Sequence, residues 1–164
     1  MAKTLVTTLI FTILAPGTVA VAIPYWLLGS GGRPDSSWWP IGVLLIAPGA
    51  ALYLWCAWAF VTTGQGTPAP IDPPKRLVVT GVYRMVRNPM YVGVVLILLG
   101  ESIVFASLTL LGYAVLAWLC FHLFVVLYEE PALRRKFGAS YKEYCKRAPR
   151  WMPRGGAREP RCGS

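Results

Sequence analysis

Three long apolar blocks constrain this chain more than any other feature. Leu5 to Leu28, Trp39 to Thr62 and Met90 to Tyr128 carry almost no charge, and uncharged stretches of about 20 residues are what a helix needs to cross a bilayer. The last block is long enough for two such helices, with a turn expected at Ala106 to Thr109. The sequence therefore predicts an all-α polytopic membrane protein. Four transmembrane helices are expected at about 5–28, 39–62, 89–105 and 109–128, followed by a C-terminal amphipathic helix. The first block is too long for a removable leader and lacks a small-residue cleavage site, so it reads as a span. A hydrophobic content of 55% with only 14% charged residues fits one membrane domain of 164 residues and departs from a soluble globule.

Charge sets the expected orientation. The segment between spans two and three holds Lys75, Arg76, Arg84 and Arg87 against Asp72, and the tail from Glu129 holds ten Lys or Arg against four acids. The loop between spans one and two has only Arg33 and Asp35. By the positive-inside rule both termini and the 64–88 segment face the cytoplasm, which places the protein in the inner, cytoplasmic membrane. The net charge of +9 then reflects topology and anionic headgroups, and membrane lipid is the expected partner. No interleaving of aromatic and basic residues suggests a nucleic-acid surface. No spacing resembles a metal site. Cys56 and Cys120 fall inside spans, and Cys145 and Cys162 in a tail where thiols stay reduced.

Between a proline-rich loop and the third span lies GVYRMVRNPMYVG, Gly81 to Gly93. Asn88, preceding proline, is expected to be extended, with Pro89 in the first turn of a helix. The free N–H groups of that helix start, beside Arg87, would attract a carboxylate-bearing ligand. Gly93 would admit either a ligand or a second helix. An equally simple reading makes Arg84 and Arg87 positive anchors, and Tyr83 and Tyr91 interfacial aromatics.

The second informative stretch is FHLFVVLYEEPALRRKFGASYKEY. His122 and Glu129 are seven residues apart, which puts them on one face of a regular helix. Ionisable groups so near a membrane core are functional candidates, although His122 could equally serve a neighbouring carbonyl. Glu130 reads as a solvated residue and Glu129 as the functional one, its natural partner being a ligand cation. From Ala132 to Lys146, Leu133, Phe137, Tyr141 and Tyr144 recur at helical spacing among basic residues, the pattern of an amphipathic helix. The run Tyr53, Trp55, Trp58 and Phe60 reads as lipid-facing or packed. Glu101 lies far from both stretches and reads as structural.

GVYRMVRNPMYVG, followed by EEPALRRKFGASYKEYCKRAPRWMP, resembles the integral-membrane isoprenylcysteine carboxyl methyltransferase family and, more loosely, the phospholipid N-methyltransferases. Leu77 to Pro153 carries the resemblance, which has the look of a prokaryotic-type member. It implies S-adenosylmethionine as cofactor, bound by the half of the chain from 65 to 153. It also implies a lipid-like or small hydrophobic methyl acceptor entering from the bilayer. The cofactor contacts it implies are Gln65, Lys75, Arg76, Leu77, Val78, Tyr83, Asn88, Pro89, Met90, Tyr91 and Glu129, to which the reading of the helix start adds Arg87. The helix start and Arg87 suit the methionine carboxylate, and Glu129 suits its ammonium.

Two positions depart from that pattern. Asn88 stands where the family has histidine, which keeps hydrogen bonding and removes titration. Val125 stands where an arginine would hold a prenylcysteine carboxylate, so the expected acceptor is an amine, thiol or phenol. His122, the single histidine, is the expected catalytic base. Two other functions fit the same architecture: an NADPH-dependent membrane reductase of related fold, and a non-catalytic lipid-binding membrane protein.

Overall fold

The computed structural model describes residues 2–29, 34, 37–64 and 77–153. Every regular element among them is helical: α1 (Ala2–Leu14), α2 (Ile23–Leu28), α3 (Trp39–Ala59), α4 (Pro89–Val104), α5 (Leu108–Phe124) and α6 (Glu130–Arg147). Three helical stretches, Val6–Leu28, Trp39–Thr62 and one within Leu108–Arg147, are long and apolar enough to cross a membrane. The third expected span, α4, is shorter, with 16 residues. At about 1.5 Å per residue it covers roughly 24 Å, short of the ~30 Å hydrocarbon layer. The α4–α5 turn falls where the sequence places it. Ala106 takes φ 44°, and the Ser107 side chain accepts a hydrogen bond from the Leu110 N–H at the start of α5.

Prolines shape two of the helices in the same way. A helical proline clashes with the carbonyl four residues earlier and donates no hydrogen bond to it. Here the turn ahead of each proline widens into a π-helical one: Thr18–Ala22 before Pro24, and Val125–Glu129 before Pro131. The Ile23 N–H donates to the Thr18 carbonyl, and the Glu130 N–H donates to the Val125 carbonyl. With Ile23 diverted and Pro24 lacking an N–H, the Val19 carbonyl has no helical donor, and the Tyr113 hydroxyl of α5 bonds it at 3.0 Å. In a bilayer such a freed carbonyl needs a partner from a neighbouring helix.

The second widened turn corrects one expectation and carries the helix past Pro131 without a break. The helix runs from α5 through the π turn into α6 and breaks at Gly138, whose φ is 53°. His122 and Glu129 are also not related by regular α-helical geometry, because the wide turn shifts their register by about one residue.

The tightest packing joins α3 and α4, which run antiparallel. Gly42 meets Gly100 and Gly49 meets Gly93, the two glycines on each helix being seven residues apart. A Cβ on Gly93 would stand 2.7 Å from the Gly49 carbonyl oxygen and 3.1 Å from the Tyr53 nitrogen. So it is a second helix, α3, that Gly93 admits, as small residues do where membrane helices touch. Tyr53 on α3 is buried, and its hydroxyl donates to Thr12 Oγ1 on α1 at 2.9 Å, while Trp55 and Trp58 face outward.

Gly93→Ala should destabilise the detergent-solubilised protein by about 1 to 3 kcal/mol, because both nearest atoms are backbone and cannot yield. Gly112 on α5 has nothing within 4 Å of its would-be Cβ, so Gly112→Ala should be neutral or stabilising. Thermal unfolding of the two variants against the wild type measures the difference.

Candidate functional site

The start of α4 is where the polar side chains converge. A short 3-10 turn, Gly81–Arg84, opens on Gly81 at φ 59° and delivers the chain to Asn88, which caps α4 with φ −124° and no side-chain capping bond. Pro89 occupies the first turn, as expected, and is fully buried. The segment following α6 lies across this point. The Arg87 N–H donates to the Pro149 carbonyl at 2.9 Å, and Asn88 Nδ2 donates to the Arg150 carbonyl at 3.1 Å.

Glu130 is not solvated; its side chain is 6% exposed. Arg150 Nε and a second guanidinium nitrogen reach its two oxygens at 2.7 and 3.1 Å. Arg87 approaches at 3.1 Å and Arg134, one turn along α6, at 3.6 Å. Burial alone would push the Glu130 carboxyl up; the Arg150 hydrogen bonds and the charges of Arg87, Arg150 and Arg134 outweigh it and hold the group below the ordinary carboxylate range. Arg87 is thus not a free anion receptor, since it is paired with Glu130 and also donates to Cys145 Sγ at 3.0 Å. Charge near the membrane surface hides this outcome from the sequence. An exposed acid and an acid neutralised by arginines from three separate segments look alike on paper.

Tyr91 and Glu129 come together from opposite sides: the Tyr91 hydroxyl donates to Glu129 Oε2 at 2.9 Å. Burial pushes the Glu129 carboxyl up, the Tyr91 bond draws it down, and the negative charge of Glu130 adds to the rise. Aromatic rings continue the wall. Tyr91 lies 5.0 Å from Phe121 and 6.5 Å from Trp151, and Trp151 lies 5.9 Å from His122, whose other neighbour, Trp118, is at 5.6 Å. His122 accepts the Trp151 indole N–H at Nδ1, 3.1 Å away.

The other expected contacts are distributed around this centre. Tyr83 is buried with Cys56 and Val78, its ring edge-on to Phe60 at 5.8 Å, and its carbonyl accepts the Tyr144 hydroxyl at 2.7 Å. Met90 bridges that cluster and the α3–α4–α5 core. Leu77 packs on Tyr141 and Tyr144, so the apolar stripe of α6 covers the protein's own turn rather than lipid alone. Gln65, Lys75 and Arg76 lie outside the described residues.

The family model for phospholipid methyltransferases matches residues 38–140, more than half of the chain. The chain belongs to the phospholipid methyltransferase family. It is similar to protein-S-isoprenylcysteine O-methyltransferase B of Arabidopsis thaliana, 30% identical over 100 residues that cover 58% of this chain and 50% of that protein. It is also similar to the nickel-cobalt-cadmium resistance protein NccN of Alcaligenes xylosoxydans xylosoxydans, 29% identical over 114 residues covering 70% and 49%. The chain spans about half the length of the curated relatives it matches.

Within this phospholipid methyltransferase family chain, the family match takes in Arg87 to Tyr91, His122, Glu129 and Glu130 and ends before Arg150 and Trp151. The sequence points to solvent for Glu130 and to no particular partner for Arg150 or Trp151. The only available signal was the arginine-rich tail in which Arg150-Trp151-Met152-Pro153 lies, which gives no hint of what each side chain meets.

Glu130→Gln should destabilise the protein by about 3 kcal/mol above the ordinary carboxylate range, because Arg87 and Arg150 lose their counter-charge. A carboxyl held low in the folded state stabilises above its unfolded pKa of about 4.3, and that stability is lost as pH falls through the lowered folded value. The difference between wild type and Glu130→Gln in thermal unfolding should therefore be flat above about pH 4.3 and shrink below it.

Proposed function

We propose that this protein is an integral-membrane methyltransferase that uses S-adenosylmethionine to methylate a lipid-like or small hydrophobic acceptor. The observation that carries this reading is the pairing of Tyr91, at the start of α4, with Glu129, at the end of the last span, beside the uncapped helix start at Asn88. These groups fit an amino-acid zwitterion. A buried carboxylate whose ionised form is disfavoured gains most from an incoming ammonium, and an uncapped helix N-terminus suits a carboxylate. The rings of Tyr91, Phe121 and Trp151 offer faces to a sulfonium or a purine.

When bound, the cofactor would supply an electrophilic methyl carbon: a lone pair on the acceptor forms the new bond as the carbon–sulfur bond breaks, its electrons staying on sulfur. The chain's own part is positioning, which can contribute roughly 7 to 11 kcal/mol. Glu129 would exchange its Tyr91 hydroxyl partner for the ammonium, and the aromatic wall would keep water from the reacting atoms. Arg87 would contribute as a wall of the site while remaining bound to Glu130. Val125 is fully buried, so no cation stands there for a prenylcysteine carboxylate, which supports an uncharged acceptor. The positive-inside balance supports a site on the cytoplasmic side.

Titration calorimetry of the detergent-purified protein with S-adenosylhomocysteine tests this directly. The wild type should bind. Glu129→Ala should weaken binding at least tenfold, in line with about 1.5 to 3 kcal/mol for a hydrogen bond to a charged group. No binding by the wild type, or equal binding by the variant, overturns the reading.

A further inference from the structure

We infer that Trp151 is a positioning residue for His122, fixing the imidazole in the tautomer that carries its proton on Nε2. On the methyltransferase reading above, His122 then serves transfer as a hydrogen-bond donor and not as the base that the sequence suggests. An indole nitrogen only donates, and Trp151 Nε1 stands 3.1 Å from His122 Nδ1. Nδ1 must therefore present its lone pair, and a neutral imidazole with a lone pair on Nδ1 holds its one proton on Nε2. Rotating the ring by half a turn would put a carbon where Nδ1 stands, so no alternative ring placement keeps the bond.

The lone pair that could take a proton from an acceptor is thus already occupied. His122 can act as a base only after Trp151 leaves, and the structure holds Trp151 firmly. The ring of Trp151 lies edge to edge with His122, centroids 5.9 Å apart, and beside Tyr91 at 6.5 Å. Its neighbour Arg150 is bound at two points to Glu130, and the Arg150 carbonyl accepts from Asn88. Trp118 sits against His122 as well, at 5.6 Å. The same contacts that tie the segment after α6 to the start of α4 therefore also set the hydrogen-bonding character of the one histidine in the chain.

Because the protein has a single histidine, selective ¹⁵N labelling of that residue gives an unambiguous spectrum of the full chain in detergent. At alkaline pH, where an ordinary imidazole is neutral, Nδ1 should resonate as an unprotonated nitrogen accepting a hydrogen bond, and Nε2 as a protonated one. Trp151→Phe should shift the Nδ1 signal toward that of an unprotonated nitrogen without a donor. A wild-type spectrum with the proton on Nδ1, or a Trp151→Phe spectrum identical to the wild type, overturns the inference. If the variant does not fold, the wild-type spectrum alone decides. The readout needs neither cofactor nor acceptor, so failure to bind S-adenosylhomocysteine would sink the methyltransferase reading without touching this one.

Discussion

The carboxylate of Glu130 joins parts of the chain that have no other reason to meet. Arg87 comes from the approach to α4, Arg134 from the first turn of α6 and Arg150 from the segment beyond it. A carboxylate this buried is costly unless it is paired and hydrogen-bonded, and three guanidiniums left without it would repel one another. The group is therefore stable as a set and unstable in pieces. The contacts nearest the site depend on it: the Arg87 N–H on Pro149, Asn88 on the Arg150 carbonyl, and Trp151 on His122.

Local geometry brings that carboxylate into place. Pro131 cannot sit in a regular helix without a clash, and the widened turn that relieves it rotates Glu129 and Glu130 relative to the span above. One of the two adjacent acids then meets Tyr91, and the other meets the arginines. Neighbouring residues on a helix point in different directions, so the division of labour between Glu129 and Glu130 follows from the backbone. At the other side, Gly49 and Gly93 allow α3 and α4 to touch, which fixes the start of α4 against α3 and leaves Tyr91 free to face α5.

Much of this was legible in the sequence. Blocks without charge gave the spans, Asn88-Pro89 gave the helix start, and Tyr91 and Glu129 could be placed on the same site from a resemblance that the family match supports. What stayed hidden was long-range pairing. Nothing local distinguishes Glu130 from a solvated acid or Arg87 from a membrane anchor, because the partners are remote in the chain: Arg150 lies 20 positions beyond Glu130, and Arg87 lies in a different segment ahead of α4. The paired glycines, Gly42 with Gly49 and Gly93 with Gly100, did carry a visible seven-residue spacing, but only the fold reveals that the two sets face each other. Likewise the histidine reads as a base until the indole that occupies its lone pair is in view.

If the Glu130 cluster is what fastens the tail segment to the start of α4, Glu130 and Arg150 must be energetically coupled. A double-mutant cycle with Glu130→Gln, Arg150→Gln and the combined variant, followed by thermal unfolding in detergent, measures that coupling. The two changes should show a non-additive interaction of at least about 1 kcal/mol, as for groups sharing one network. Variants that add to within about 0.5 kcal/mol would contradict it.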